Sequence, residues 1–241
     1  TDAFVSAFAP GGALLYSTFL GGSFVDRGNA IAVDPRGRVI VAGQASSPDF
    51  PSVSATQTTY GGGPNDAFVA AIDPSASGDA SLLFSTYLGG GGDDRAHGVA
   101  ALSDSAVWVA GQASAIGFPI IDPSFPMAGG GASDAFAARF DLAVSPVLRF
   151  STILGGAGDD RAHAVAATAS GDAVLAGRTD SPGFPPSASR YGLGGGTDAF
   201  VLRIAGAGGG VLPSVPTLSA MALALLASGL GAAGLFLARR L

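Results

Sequence analysis

The residues of this 241-residue chain best suited to chemistry are its carboxylates and its two histidines. Asp93-Asp94-Arg95 follows a glycine run at 89–92, and Asp159-Asp160-Arg161 follows Gly155-Gly156-Ala157-Gly158, while Asp26-Arg27 stands in an earlier corresponding place. Clustered carboxylates on glycine-rich loops offer the hard oxygen ligands that calcium takes, but such a site needs about six or more oxygens. One aspartate pair supplies too few, and the alternating Asp spacing of calcium β-roll repeats is missing. The preferred reading is a turn in which Asp caps backbone amides and pairs with Arg. His97 and His163 each lie three residues after an Asp of these loops, with Asn29 at the corresponding earlier position. Histidines in separate units need not meet, so a polar residue at a strand start is preferred over metal ligation or general-base chemistry. No Gly-x-Ser-x-Gly elbow marks a serine nucleophile. No glycine run carries the lysine of a phosphate-binding loop. Paired carboxylates for glycoside hydrolysis form in space, and nothing in the sequence selects a pair. No catalytic, cofactor-binding or metal-ligating residue is therefore assigned, and no cofactor is expected.

Composition narrows the scaffold that holds these groups. All 12 basic residues are Arg and all 18 acidic residues are Asp, with no Lys and no Glu. Asp favours turns whereas Glu and Lys favour helices, so a mainly helical domain is disfavoured. Hydrophobic residues make up 48% of the chain, too many for a disordered segment. A net charge of −6 argues against a nucleic-acid partner. With no Cys there is neither a disulfide frame nor a thiol nucleophile.

A repeat of about 66 residues organises the chain. Asp-Ala-Phe begins at Asp2, Asp66, Asp134 and Asp198; Leu-Gly-Gly at Leu20, Leu88 and Leu154; Asp-Arg at Asp26, Asp94 and Asp160; Phe-Pro at Phe50, Phe118 and Phe184. A glycine triplet begins at Gly61, Gly129 and Gly194. Ordered self-similarity of this kind marks a repeat architecture. The repeats run about 2–65, 66–133 and 134–197, with the start of a fourth at 198. The first reads as four short strands, roughly 3–8, 14–20, 29–34 and 38–45, rich in Val, Ile, Phe, Tyr and Ala. Asp34-Pro35-Arg36-Gly37 is a tight turn between two of them. These four strands together resemble one four-stranded propeller blade. Phe4, Phe68, Phe136 and Phe200 are expected in the core between blades, as are Ile40, Trp108 and Val174; ligand stacking is the alternative for Trp108. Ala42-Gly43, Ala110-Gly111 and Ala176-Gly177 are expected to let neighbouring strands approach closely.

Taken together, Asp-Ala-Phe-Val, Leu-Leu-Tyr-Ser-Thr-Phe-Leu-Gly-Gly, Asp-Arg-Gly-Asn-Ala-Ile-Ala-Val-Asp, Val-Ile-Val-Ala-Gly and Asp-Phe-Pro resemble the bacterial β-propeller repeat family known as SBBP repeats, over about residues 2–205. The resemblance implies an all-β fold of four-stranded blades in a secreted or surface-attached bacterial protein. It implies no single activity. Propellers usually have four to eight blades. Three complete copies therefore suggest part of a larger propeller; the alternative is an open array, or closure by oligomerisation.

After residue 205 the composition changes. A linker spans 206–216, and 218–238 is a run of 21 residues without a charge, followed by Arg239-Arg240. As a helix the run would span about 31 Å, close to the hydrocarbon thickness of a bilayer. One C-terminal transmembrane helix is expected there, with Arg239 and Arg240 as the cytoplasmic stop; a buried core helix is the alternative. The layout of 217–241 is similar to an IPTL-type sorting signal, itself like the PEP-CTERM tails handled by exosortases. That resemblance implies Val215, Pro216, Thr217 and Leu218 as the recognition tetrad and an exosortase-like processing enzyme as a partner. A plain tail anchor is the other reading. Small residues at Ser228, Gly229, Ala232 and Ala233 would permit helix pairing in lipid.

The function expected is a non-enzymatic scaffold or binding protein of the cell envelope. It would be anchored through residues 218–238 with its repeats outside the cytoplasm, facing a surface polysaccharide or protein ligand. The alternatives are a propeller enzyme acting on extracellular polysaccharide and a purely structural adhesion or surface-layer array.

Overall fold

A computed structural model of the chain describes residues 1–102, 105–114, 117–121, 130–182, 184 and 196–206. Thirteen strands form among them: β1 Ala3–Phe8, β2 Leu14–Leu20, β3 Asp26–Val33, β4 Val39–Ala45, β5 Asp66–Ile72, β6 Leu82–Leu88, β7 Arg95–Ala101, β8 Ala106–Ala113, β9 Asp134–Asp141, β10 Val147–Leu154, β11 Asp160–Ala167, β12 Ala173–Thr179 and β13 Asp198–Ile204. The fold is all-β and every pairing between these strands is antiparallel. No described helix is long and apolar enough to cross a membrane. The tetrad Val215 to Leu218, the span 218–238 and Arg239 and Arg240 lie outside the described residues.

The strands group as sheet 1 (β1-β2), sheet 2 (β3-β4-β5-β6), sheet 3 (β7-β8-β9-β10) and sheet 4 (β11-β12-β13). This corrects the grouping expected from the repeat: β1 to β4 do not share a sheet. Each four-stranded sheet takes two strands from one repeat and two from the next. The long loop between β4 and β5 stays within one sheet, and the Leu-Gly-Gly turn is where the chain crosses to the next. Glycine makes that crossing fit. A Cβ on Gly21 would lie 2.6 Å from Asp2 Oδ1, and one on Gly22 would lie 2.8 Å from Ser47 Cβ.

The sheets stack in order, and each interface holds its own apolar cluster. Val5, Val41, Phe68 and Tyr87 fill the first; Ile40, Val69, Val109 and Phe136 the second; Trp108, Leu154, Leu175 and Phe200 the third. Strands β4, β5 and β8 are buried along their whole length, which is why they read as continuous apolar runs. At every interface a Phe-Pro ring packs on an Asp-Ala-Phe ring: Phe50 on Phe68 at 4.6 Å between centroids, Phe118 on Phe136 at 5.0 Å, and Phe184 on Phe200 at 5.1 Å. Trp108 is core too, its indole N–H donating to the Gly171 carbonyl at 3.1 Å.

Two expected core positions differ. Phe4 is 70% exposed, since none of the described sheets covers the outer face of sheet 1. Val174 is only half-buried, on the outer face of sheet 4. The tight turn forms as expected: Gly37 takes a φ of 83° and donates to the Asp34 carbonyl, while Asp34 accepts from the Arg36 and Arg38 amides and from the Arg38 side chain. The close approach also forms. A Cβ on Gly43 would collide with the Arg27 carbonyl oxygen, and Gly111 and Gly177 stand in the same relation to Arg95 and Arg161.

Candidate functional site

Two arrangements bring the chemically capable residues together. The first lies at the sheet crossings. Asp26 accepts from the Gly22 amide at 2.7 Å and from the Ser47 hydroxyl at 2.7 Å. Asp94 accepts from the Gly90 and Ser114 amides at 2.7 and 2.9 Å. Asp160 accepts from the Gly156 amide at 2.9 Å and the Ser181 hydroxyl at 2.6 Å. The Asp of each Asp-Arg therefore ties the glycine turn to the segment that leaves the next strand, which is the capping role expected of it. Asp93 forms the ion pair with Arg95, at 2.7 Å, and also accepts from Asn65.

The sequence did not reveal that the Asp of Asp-Ala-Phe joins the same junction. A Cβ on Gly89 would touch both Asp66 and Asp94, and one on Gly155 would touch both Asp134 and Asp160. The first glycine of Leu-Gly-Gly leaves the room in which the two carboxyls meet. Co-repetition of the three landmarks was the available signal. Burial pushes Asp66 up to about 7, against one amide from Gly61 and with the Asp94 charge adding to it. Burial likewise raises Asp94 to about 6, with its two amide donors opposing. Asp134 rises to about 7 through burial and then through the charge and contact of Asp160. All four carboxyls are fully buried, so these pairs offer no face to a sugar or other substrate. No group of three or more potential metal-ligating side chains forms among the described residues.

The second arrangement lies on the first strand of each sheet. β7 packs between β3 and β11. Each of the three carries a β-bulge at the same station, where the register skips Asn29, His97 and His163. Bulges re-aim a side chain and recur beside functional sites. Here they bring the equivalent polar residues into one row. The His97 and His163 rings stand 6.0 Å apart, contrary to the expectation that histidines of separate units need not meet. The Asn29 side-chain amide donates across the interface to the Ala96 carbonyl at 2.9 Å. His97 lies 3.3 Å from Gln112 Oε1. Burial depresses the His97 pKa; the Gln112 contact opposes this, and the charges of His163, Arg95 and Arg161 lower it further. Arg27, Arg95 and Arg161 precede the bulges by two residues on the same strands. The row thus combines guanidinium and imidazole donors on adjoining sheets, although the whole chain is acidic.

No family model matches the chain, and no curated protein matches it.

Proposed function

We propose that the chain is a non-enzymatic β-propeller-type scaffold of the cell envelope whose bulged first strands seat an anionic surface polymer. The observation that carries this reading is the row Arg27, Arg95 and Arg161 with Asn29, His97 and His163, set at one station of three adjoining sheets. Sheets of four antiparallel strands stacked face to face, with their first strands side by side, are the elements from which propellers are built around an axis. In that arrangement the first strands would line the axis and the row would face it. Guanidinium groups suit carboxylate, sulfate or phosphate substituents, which they bind through forked, charge-assisted hydrogen bonds. Donors repeated from sheet to sheet suit a repeating chain better than one compact substrate. Membrane delivery through 218–238, with the Val215 to Leu218 tetrad read by an exosortase-like enzyme, would place the repeats outside the cytoplasm beside such polymers.

The test is retention of carboxylated, sulfated and neutral polysaccharides by the immobilised full chain. Retention of anionic polymers alone is expected, weakening as salt rises and falling roughly tenfold in Arg95→Ala/Arg161→Ala. Failure to retain any polymer would leave a purely structural array, and depolymerisation of one would make the protein an enzyme. Membrane delivery is checked separately: the chain, expressed with an export signal, should fractionate with membranes.

A further inference from the structure

His97 and His163 meet across the gap between β7 and β11, with ring centroids 6.0 Å apart. Each stands at the β-bulge of its strand. Gly98 sets how closely the two strands approach there. It follows His97 where β3 has Ala30 after Asn29 and β11 has Ala164 after His163. A Cβ on Gly98 would lie 2.9 Å from the Val165 nitrogen and 3.1 Å from the Ala164 Cα. A side chain at that position would therefore push β11, and His163 with it, away from His97.

The separation is one that a shared metal ion imposes. With metal–nitrogen bonds of about 2.0–2.1 Å, two imidazoles on one ion hold their centroids about 5 Å apart at a tetrahedral angle and about 6.5 Å apart when opposed. The 6.0 Å between His97 and His163 lies between these limits. Two rings merely in contact can also stand at this distance, so the hydrogen bonding of the pair decides. His97 Nε2 lies 3.3 Å from Gln112 Oε1. An amide oxygen only accepts, so Nε2 carries the proton and donates it. The neutral ring then presents a lone pair at Nδ1, and among the described residues no group donates to that nitrogen. Gln112 is buried, which fixes the acceptor and through it the ring. An imidazole whose second nitrogen donates to a fixed oxygen is how metal sites set the tautomer and aim of a ligand. Burial, and after it the charges of His163, Arg95 and Arg161, hold the His97 pKa below its ordinary value against the Gln112 contact, which favours the unprotonated form that a metal requires. His163 is exposed, so an ion can enter from solvent.

We propose that His97, through Nδ1, and His163 together bind one divalent transition-metal ion of the zinc–copper class. The site goes beyond the polymer reading and requires no polymer. No third metal-ligating side chain joins the pair among the described residues, so the remaining coordination positions are open to water or to an anionic ligand. The flanking charges favour the anion. Asp93 holds Arg95 at 2.7 Å, whereas Arg161 adds positive charge close to His97. That charge opposes a bare dication and attracts an anionic co-ligand such as a carboxylate.

The chain holds only two histidines and no cysteine, so the test is unambiguous. Untagged full-length protein, in detergent and a buffer without metal-binding groups, is titrated with Cu²⁺, the ion that nitrogen ligands of this kind hold most strongly. One bound equivalent is expected, with a paramagnetic resonance spectrum showing two coordinated imidazoles. His163→Ala changes an exposed side chain and leaves the fold intact. It should weaken binding roughly tenfold or more, and His97→Ala should do the same. No polymer is present, so failure of the polymer reading leaves this result unaffected. A Kd weaker than about 1 mM, a spectrum with a single imidazole, or an affinity unchanged in His163→Ala overturns the proposal.

Discussion

Asp134 offers a test of the junction chemistry in which the sign reverses the usual expectation for a buried charge. Among the described residues no N–H or hydroxyl donates to either of its carboxyl oxygens, and the Asp160 carboxyl lies against it. Its pKa rises from 3.8 to about 7. Below pH 3.8 both the folded and the unfolded chain hold the proton, and the stabilising contribution is fully present. Between 3.8 and about 7 the folded chain keeps a proton that the unfolded chain has released. Folding then takes up a proton, so stability falls as pH rises and the loss is complete above about pH 7. At about 1.4 kcal/mol per unit the shift corresponds to at most about 4 kcal/mol, and local relaxation brings the expected figure to about 2 kcal/mol. Asn has the shape of the protonated acid and does not titrate. Asp134→Asn should therefore change stability by less than about 0.5 kcal/mol at about pH 3 and raise it by about 2 kcal/mol at pH 8.

Urea unfolding followed by Trp108 emission is the appropriate assay. Trp108 is the one tryptophan in the chain and is buried in the cluster between sheets 3 and 4, the same pair of sheets that Asp134 and Asp160 join. Asp66 contributes a pH dependence of the same sign, which cancels in the comparison of variant with parent. Equal gains at both pH values, or a variant less stable than its parent at pH 8, would refute the account of Asp134 as the member that holds a proton.

Other substitutions probe the packing. Gly111→Ala drives a methyl into the Arg95 carbonyl and to 2.7 Å from the Phe136 ring; a loss of about 2–4 kcal/mol is expected in urea melts. Phe136→Ala should cost about 3–5 kcal/mol in the same melts. Phe4→Ala should cost less than about 0.5 kcal/mol, since that ring is already in solvent. Gly37→Ala meets no neighbouring atom but must hold a φ of 83°, so a loss of about 1 kcal/mol is expected from conformation alone.

The landmarks that repeat in the sequence mark stations that repeat in space, which is why the strands were legible. β1 and β2 span the residues expected of them, and the Asp34 turn joins β3 to β4 as Pro35 and Gly37 imply. β3 begins at Asp26 rather than at 29, because pairing with Ala45 continues through the Asp whose carboxylate is fixed by Gly22 and Ser47. Sheet membership was not legible. A repeat fixes a period but not a phase, and the longest loop is a misleading place to cut when Phe50 holds that loop onto Phe68 within a continuous interface. The candidate site was legible only as residue types. His97 and His163 were visible as equivalents, but their meeting depends on bulges that shift one residue against the facing strand. Likewise Asp66 and Asp94 lie far apart in sequence, and only the crossing of the chain over Gly89 joins them.

The half-repeat offset has an energetic consequence that a coincident repeat and sheet would lack. Were each sheet a single repeat, neighbouring sheets would adhere only through their apolar faces. With the offset, the ladder between β4 and β5 joins adjacent repeats by main-chain pairing, as does the ladder between β8 and β9. Each interface between sheets in turn contains a crossing within one repeat, held by a buried Asp. Neither repeats nor sheets can then separate without breaking a ladder or exposing a carboxyl junction together with its Phe–Phe contact.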